Sequence, residues 1–360
     1  MTSKHNPRVT PTVASAKATP VKPSVPYRSG ACFKIKPHNP PPPFSGSSYK
    51  KPDPSEWNPD PWPDYFEDAP PTIVEQCLQH LPRRTTPLDQ ATRDLKVIGE
   101  IRCGDPCNAQ VVRCNVDGKD LVAKIFDPLY ISQGKCDELE CSPVTLAETF
   151  YSYEAAAFIR IKEKGLDGKY TPCFEGCWCL ELPIHDTNGR LVSREVRLIL
   201  QQFIAGDTMQ HLIEQKEVDK IDPEVRMDLL DRLMEALSQL AFIGVQSDDL
   251  HPRNYMVSED KNEKNGWKIT LIDFSHSRVS NLPTSKWWTP EGKDAGLPAN
   301  PMSSSRLWPP RCQGWIPREY DCATRESFDK RLKRMKERWE GSKEYGPVIE
   351  RRLPKYKDRG

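Results

Sequence analysis

GVQSDDLHPRNYMV at residues 244–257, followed after a polar insert by GWKITLIDFSH at residues 266–276, decides how this chain is read. Asp249 and Asn254 stand five residues apart, about 140° away from a whole number of helical turns, so they cannot share a helix face. Pro252 stops a helix there in any case. The segment is therefore a loop that points two oxygen-bearing side chains into one place. Tyr255–Val257 is a short apolar run of strand type, KNEKNG at 261–266 is a polar turn, and Ile269 to Phe274 reads as a second strand that ends at Asp273. Two such adjacent strands would bring Asp249, Asn254 and Asp273 to one end of a hairpin. Three oxygen ligands around one point suit a hard divalent cation and a phosphate. Taken singly, Asp249 reads as a cap and Asn254 as a turn residue; the joint pattern carries the sharper reading.

Outside this stretch, composition sets limits. Only 37% of the 360 residues are hydrophobic, and there are 35 prolines, about twice the usual share. Part of the chain therefore does not join a core. A net charge of +1 gives no global attraction to nucleic acid or membrane. No apolar run approaches the length of a membrane span, and the N-terminus lacks an apolar signal core. Twelve cysteines without a signal point to reduced thiols in the cytosol or nucleus.

Nearly half of the prolines lie in residues 1–70, which read as a disordered tail, partly polyproline II. An inert tail and a docking site for a proline-reading partner both fit. Trp57, Trp62, Tyr65 and Phe66 are unusual for a linker and could fold back. Thr72 to Leu81 reads as a short helix. Residues 95–126 read as three strands, the first two joined by RCGDPCN and the last two by the Asp117-Gly118 turn. Lys124 stands in mid-strand. A helix over 143–164 follows, with Ser142 as N-cap, Pro143 in its first turn and Gly165 closing it. Residues 173–184 and 190–206 form a hairpin around Asn188-Gly189. Cys173, Cys177 and Cys179, with His185, offer a zinc site in principle; alternation equally places Cys177 and Cys179 together in a core. Asp222-Pro223 opens a long helix with an apolar stripe from Leu229 to Ala241, and Gly244 ends it. Residues 283–317 show little periodicity, and 323–340 form a basic helix that either docks by Phe328, Leu332, Met335 and Trp339 or meets an acidic partner.

D-L-x-P-x-N followed by a strand and I-D-F resembles the catalytic loop and metal motif of the protein-kinase-like superfamily. His251, where protein kinases carry Lys, looks most like the aminoglycoside- and choline-kinase branch. The resemblance covers residues 95–280. It implies an α+β, bilobal fold with an antiparallel β N-lobe, a mainly helical C-lobe and the disordered Pro-rich tail. The divisions are 1–70 (tail), 71–205 (N-lobe with its leading helix), 206–322 (C-lobe, irregular after 280) and 323–360 (basic helix and tail). It further implies ATP-dependent transfer of a phosphoryl group to a hydroxyl acceptor, of protein or small molecule. In that scheme Asp249 orients the hydroxyl, and Asn254 and Asp273 hold Mg²⁺. Lys124 places a charge on the phosphates, and Glu154 steadies it, with Glu148 as a rival. The turn with Gly99 and Gly104 covers the phosphates, although it departs from G-x-G-x-x-G and Pro106 removes an amide. The backbone from Gln202 to Ile204 meets adenine. Ser247 and Asp248 depart from the usual residues before the catalytic Asp. A pseudokinase scaffold is the alternative, and a zinc-dependent interaction module a third.

Overall fold

The computed structural model describes residues 21–53, 57, 71–86, 88, 91–105, 107–288, 296–304 and 306–356. The elements run β1 (Cys32–Pro37), α1 (Ile73–Gln79), β2 (Arg93–Arg102), β3 (Gln110–Val116), β4 (Lys119–Phe126), α2 (Gln133–Leu139), α3 (Pro143–Glu163), β5 (Phe174–His185) and β6 (Leu191–Gln202). After these come β7 (Asp207–Thr208), α4 (Met209–Glu214), α5 (Pro223–Phe242), β8 (Val245–Ser247), β9 (Tyr255–Glu259), β10 (Trp267–Leu271), β11 (Ser277–Val279) and α6 (Arg325–Trp339). The class is α+β, with every named strand pair antiparallel. No helix among the described residues is long and apolar enough to cross a membrane.

β1 to β6 close into a barrel in the order β1-β2-β3-β4-β6-β5. Period-two alternation fills it: Leu121, Ala123 and Ile125 of β4 join Leu95, Val112 and Leu198 in one apolar core. The intervening residues Lys124 and Phe126 therefore face the other way. A second core lies among α3, α4, α5 and the short sheets, with Leu229, Leu230, Leu233 and Leu240 of α5 against Phe158, Phe174 and Phe274. α3 starts as the sequence requires: Ser142 Oγ accepts from Thr145 N at 3.1 Å, with Pro143 next to it. α4 begins later than expected, because Thr208 rather than Gly206 caps it. Gly206 instead lets the chain pass against β9, since a Cβ there would meet Val257 O at 2.3 Å.

The expectation of a disordered tail over 1–70 fails for residues 21–53. β1 pairs with both β2 and β5 and closes the barrel. Alternation in CFKIKP buries Ile35 completely, which a proline count does not reveal. The chain then descends as a strap along α3. Pro40–Pro43 run beside Ala156 and Ile159. Tyr153 Oη donates to Ser45 O at 2.9 Å, and Tyr49 Oη accepts from Val279 N at 2.7 Å. Lys50 N and Ser48 O bond Thr284 O and Lys286 N at 2.8 and 2.9 Å. Trp57 does fold back, against Phe44 at 4.9 Å; Trp62, Tyr65, Phe66 and residues 1–20 lie outside the described residues.

His38 fastens the strap to α3, with Nδ1 2.6 Å from Tyr151 Oη and Nε2 2.9 Å from Thr85 Oγ1. Burial, with a smaller push from Arg197, holds this imidazole down to about 3. Above pH ~6.5 both the folded and unfolded chains keep it neutral. Below that, the unfolded chain takes up a proton that the folded chain refuses, so stability falls as pH drops from about 6.5 toward 3. The expected loss from this group between pH 6.5 and 5 is about 2 kcal/mol. Urea unfolding of wild type and His38→Gln at both pH values checks it; equal pH slopes in the two chains contradict it.

The zinc alternative is overturned among the described residues, where no group of three or more His, Cys, Asp or Glu is placed to hold a metal. Cys177 and Cys179 are buried on β5, and burial pushes their thiols up to about 12 and about 11. Both lie in the core, where burial favours the protonated thiol.

Candidate active site

β4, α3 and the β9–β10 hairpin converge below the barrel. Lys124 Nζ, buried on the outward face of β4, donates to Glu154 Oε2 at 2.5 Å and to Asp273 Oδ1 at 2.8 Å. Burial pushes the Glu154 carboxyl up, to about 7, with Lys124 pulling against it. Burial likewise opposes the Lys124 charge, yet Asp273 and Glu154 outweigh it and hold the ammonium above its ordinary pKa. Burial also works against the Asp273 charge, but Lys124 and Ser275 prevail and hold that carboxyl well below the usual range. Asp273 is therefore the carboxylate held charged beside the Lys124 ammonium. The rival Glu148 does not reach it; Arg197 Nε holds Glu148 at 3.3 Å.

Asp273 is not at a strand end. β10 stops at Leu271, and Asp273 has φ +63°, a left-handed backbone in which no strand can continue. Ser275 stabilises this turn, its N–H and Oγ donating to Asp273 Oδ1 at 3.2 and 2.6 Å. The loop below presents Asp249. Asn254 Nδ2 donates to Asp249 O at 2.9 Å and Oδ2 at 3.0 Å, which leaves its amide oxygen for another partner. Arg253 Nη2 grips both Asp249 oxygens at 2.9 and 2.8 Å. Asp248 lies apart, 3.2 Å from Arg278. His251 stays below its ordinary pKa through burial and the nearby Arg253 and Arg311. It is therefore a neutral ring at pH 7, with its Nδ1 accepting from Arg253 N at 3.4 Å.

A cleft of about 210 Å³ opens among Arg102, Lys124, Asp249, Arg253, Asp273 and His276. The structure thus brings Lys124, Glu154, Asp249, Asn254 and Asp273 together. It does not bring the remaining expected positions to the cleft, whose lining omits Gly99, Gly104, Gln202 and Ile204. Gly99 sits in β2 at a register shift. Gly104 N–H donates to Gln110 Oε1 at 2.6 Å, so that amide is turned to its own chain. Gln202 N–H donates to Cys173 O at 2.9 Å, and its Oε1 accepts from Cys173 N at 3.2 Å. The expected Gln202 amide contact with adenine is therefore closed. Sequence reasoning missed Arg253 and Gln110. Arg253 was findable from its place four residues after Asp249; Gln110 carries no local signal.

The oxygen donors fit Mg²⁺. Asp273 and Asn254 are hard ligands, and a cation that keeps most of its waters needs only one or two protein oxygens besides phosphate.

No family model matches the chain, and no curated protein matches it. Solved structures resemble it distantly. One is the BubR1 kinase domain, at TM-score 0.36 and 15% identity over 55% of this chain and 51% of that one. Another is Rad53 1–466 in complex with AMP-PNP, at TM-score 0.32 and 15% identity over 50% of this chain and 39% of that one. The match thus spans about half or less of either structure.

Proposed function

We propose that the chain is a phosphotransferase with a bilobal protein-kinase-like fold, acting on a nucleoside triphosphate and a hydroxyl acceptor. The observation that carries this reading is the buried Lys124 held by Glu154 at 2.5 Å and Asp273 at 2.8 Å in a cleft that Asp249 also lines, with Asn254 bonded to Asp249. Lys124 supplies a fixed positive charge to the donor phosphates. Glu154 positions that lysine. Asp249, fixed by Asn254 and Arg253, orients the acceptor hydroxyl and takes its proton as the new P–O bond forms and the bond from the terminal phosphorus to its bridging oxygen breaks, releasing the nucleoside diphosphate. Mg²⁺, held by Asp273 and Asn254, would neutralise charge on the transferring group. A scaffold without turnover is favoured by two observations: the Gly104 amide is engaged by Gln110, and the cleft of about 210 Å³ is smaller than the roughly 300–1,000 Å³ of common ligand pockets.

ATP turnover with Mg²⁺ distinguishes the two. Asp249→Ala is expected to lower kcat by about 10²–10⁴-fold with nucleotide binding retained. Asp273→Asn is expected to lose both. Stabilisation by ATP–Mg²⁺ without turnover, with a panel of alcohols and hydroxyl peptides present, selects the scaffold. Neither binding nor turnover removes the reading.

A further inference from the structure

The turn between β2 and β3 is where backbone amides would hold the donor phosphates on the reading above, and two of its amides are taken by their own chain. Gly104 N–H is taken by Gln110 Oε1 at 2.6 Å, and Gln110 Nε2 holds Gly104 O and Tyr130 O, each at 3.2 Å. Cys107 N–H bonds Gly104 O at 3.3 Å. Pro106 has no N–H. Two described amides of this turn, those of Gly104 and Cys107, are therefore engaged within the chain and are not free for a phosphate.

Two guanidiniums stand in the same cleft. Arg102, the last residue of β2, is exposed and lines it, with no carboxylate partner among the described residues. Arg253 lines the floor opposite. It grips Asp249 through Nη2 alone, so its Nε and Nη1 donors remain. We infer that Arg102 and Arg253 form a side-chain clamp for the donor's polyphosphate, doing from above and below what backbone amides do not do here. Guanidinium forks match phosphate oxygens and do not depend on a glycine-rich backbone. Lys124, already engaged by Glu154 and Asp273, completes the ring of cations. This rests on the phosphotransferase reading and adds to it the residues that select a polyphosphate.

The test is calorimetric binding of tripolyphosphate with Mg²⁺ to the full chain. Removing Arg253 also frees the Asp249 carboxylate, so Arg253→Gln is made in an Asp249→Asn chain and compared with Asp249→Asn alone. Arg102→Gln is compared with wild type. Each arginine change is expected to weaken binding about tenfold or more, and rising salt is expected to weaken the parents more than the variants. Binding within twofold of the parents in both variants overturns the clamp. If Asp273→Asn still abolishes binding in that case, the phosphotransferase reading stands. If the parents bind neither tripolyphosphate nor ATP with Mg²⁺, both fall.

Discussion

An Asp231→Ala chain is expected to lose about 3–5 kcal/mol of stability, because the change strands a buried guanidinium. Asp231 and Arg331 are both fully buried, with Oδ1 and Nη1 2.5 Å apart. Arg334 Nε binds the other Asp231 oxygen at 2.8 Å, and Arg338 reaches Glu235 and Asp228 at 2.6 and 2.7 Å. The acids of α5 at 224, 228, 231 and 235 thus face the bases of α6 at 331, 334 and 338. The basic helix meets its acidic partner within its own chain, and Met335 and Trp339 bury the seam. Urea denaturation reads the loss. A double variant, Asp231→Ala with Arg331→Met, is expected to lose less than Asp231→Ala alone, since no charge is then stranded. A single variant within about 1 kcal/mol of wild type would mean that the pair behaves as an exposed one.

Tyr49→Ala is expected to detach the strap and loosen α3 without unfolding the barrel. Tyr49 is fully buried, its ring 4.7 Å from that of Tyr153, and its Oη receives the Val279 N–H. Truncating a buried aromatic costs about 3–5 kcal/mol. Here the loss falls on a local contact, so it appears as local opening. Amide exchange over residues 151–163 should accelerate about 100-fold or more, and ATP–Mg²⁺ binding should weaken because Glu154 follows Tyr153 on that helix. Tyr49→Phe, which removes only the acceptor for Val279 N–H, should lie between. Unchanged exchange in α3 would show that the strap does not brace it.

The strands and helices that position the site were legible because each is local. Alternation marks β2–β4, Ser142-Pro143 and Asp222-Pro223 cap α3 and α5, and the residues of the 249–254 loop carry their geometry in their spacing. What was not legible is long-range. β1 hides in a proline-rich region, and its partners lie in β2 and β5. The pairing of Gln110 with Gly104 depends on how one turn folds over another. The Gln202 amide was assigned to adenine on its place at the end of β6; the Cys173 carbonyl that takes it comes from the turn before β5.

Barrel closure also sets an order of events during synthesis. β1 is made early, yet the Lys36–Glu181 contact beside its second partner spans 145 residues. At about 5–20 residues per second, β1 waits roughly 7–30 s before β5 leaves the ribosome. Throughout that interval β1 carries an unpaired edge, as does β4 until β6 is made, and such edges invite pairing with other chains. Contacts this distant also slow folding. The nascent chain is therefore most prone to aggregate before residue 185 emerges. A chain lacking β1 would leave β2 and β5 with open edges permanently.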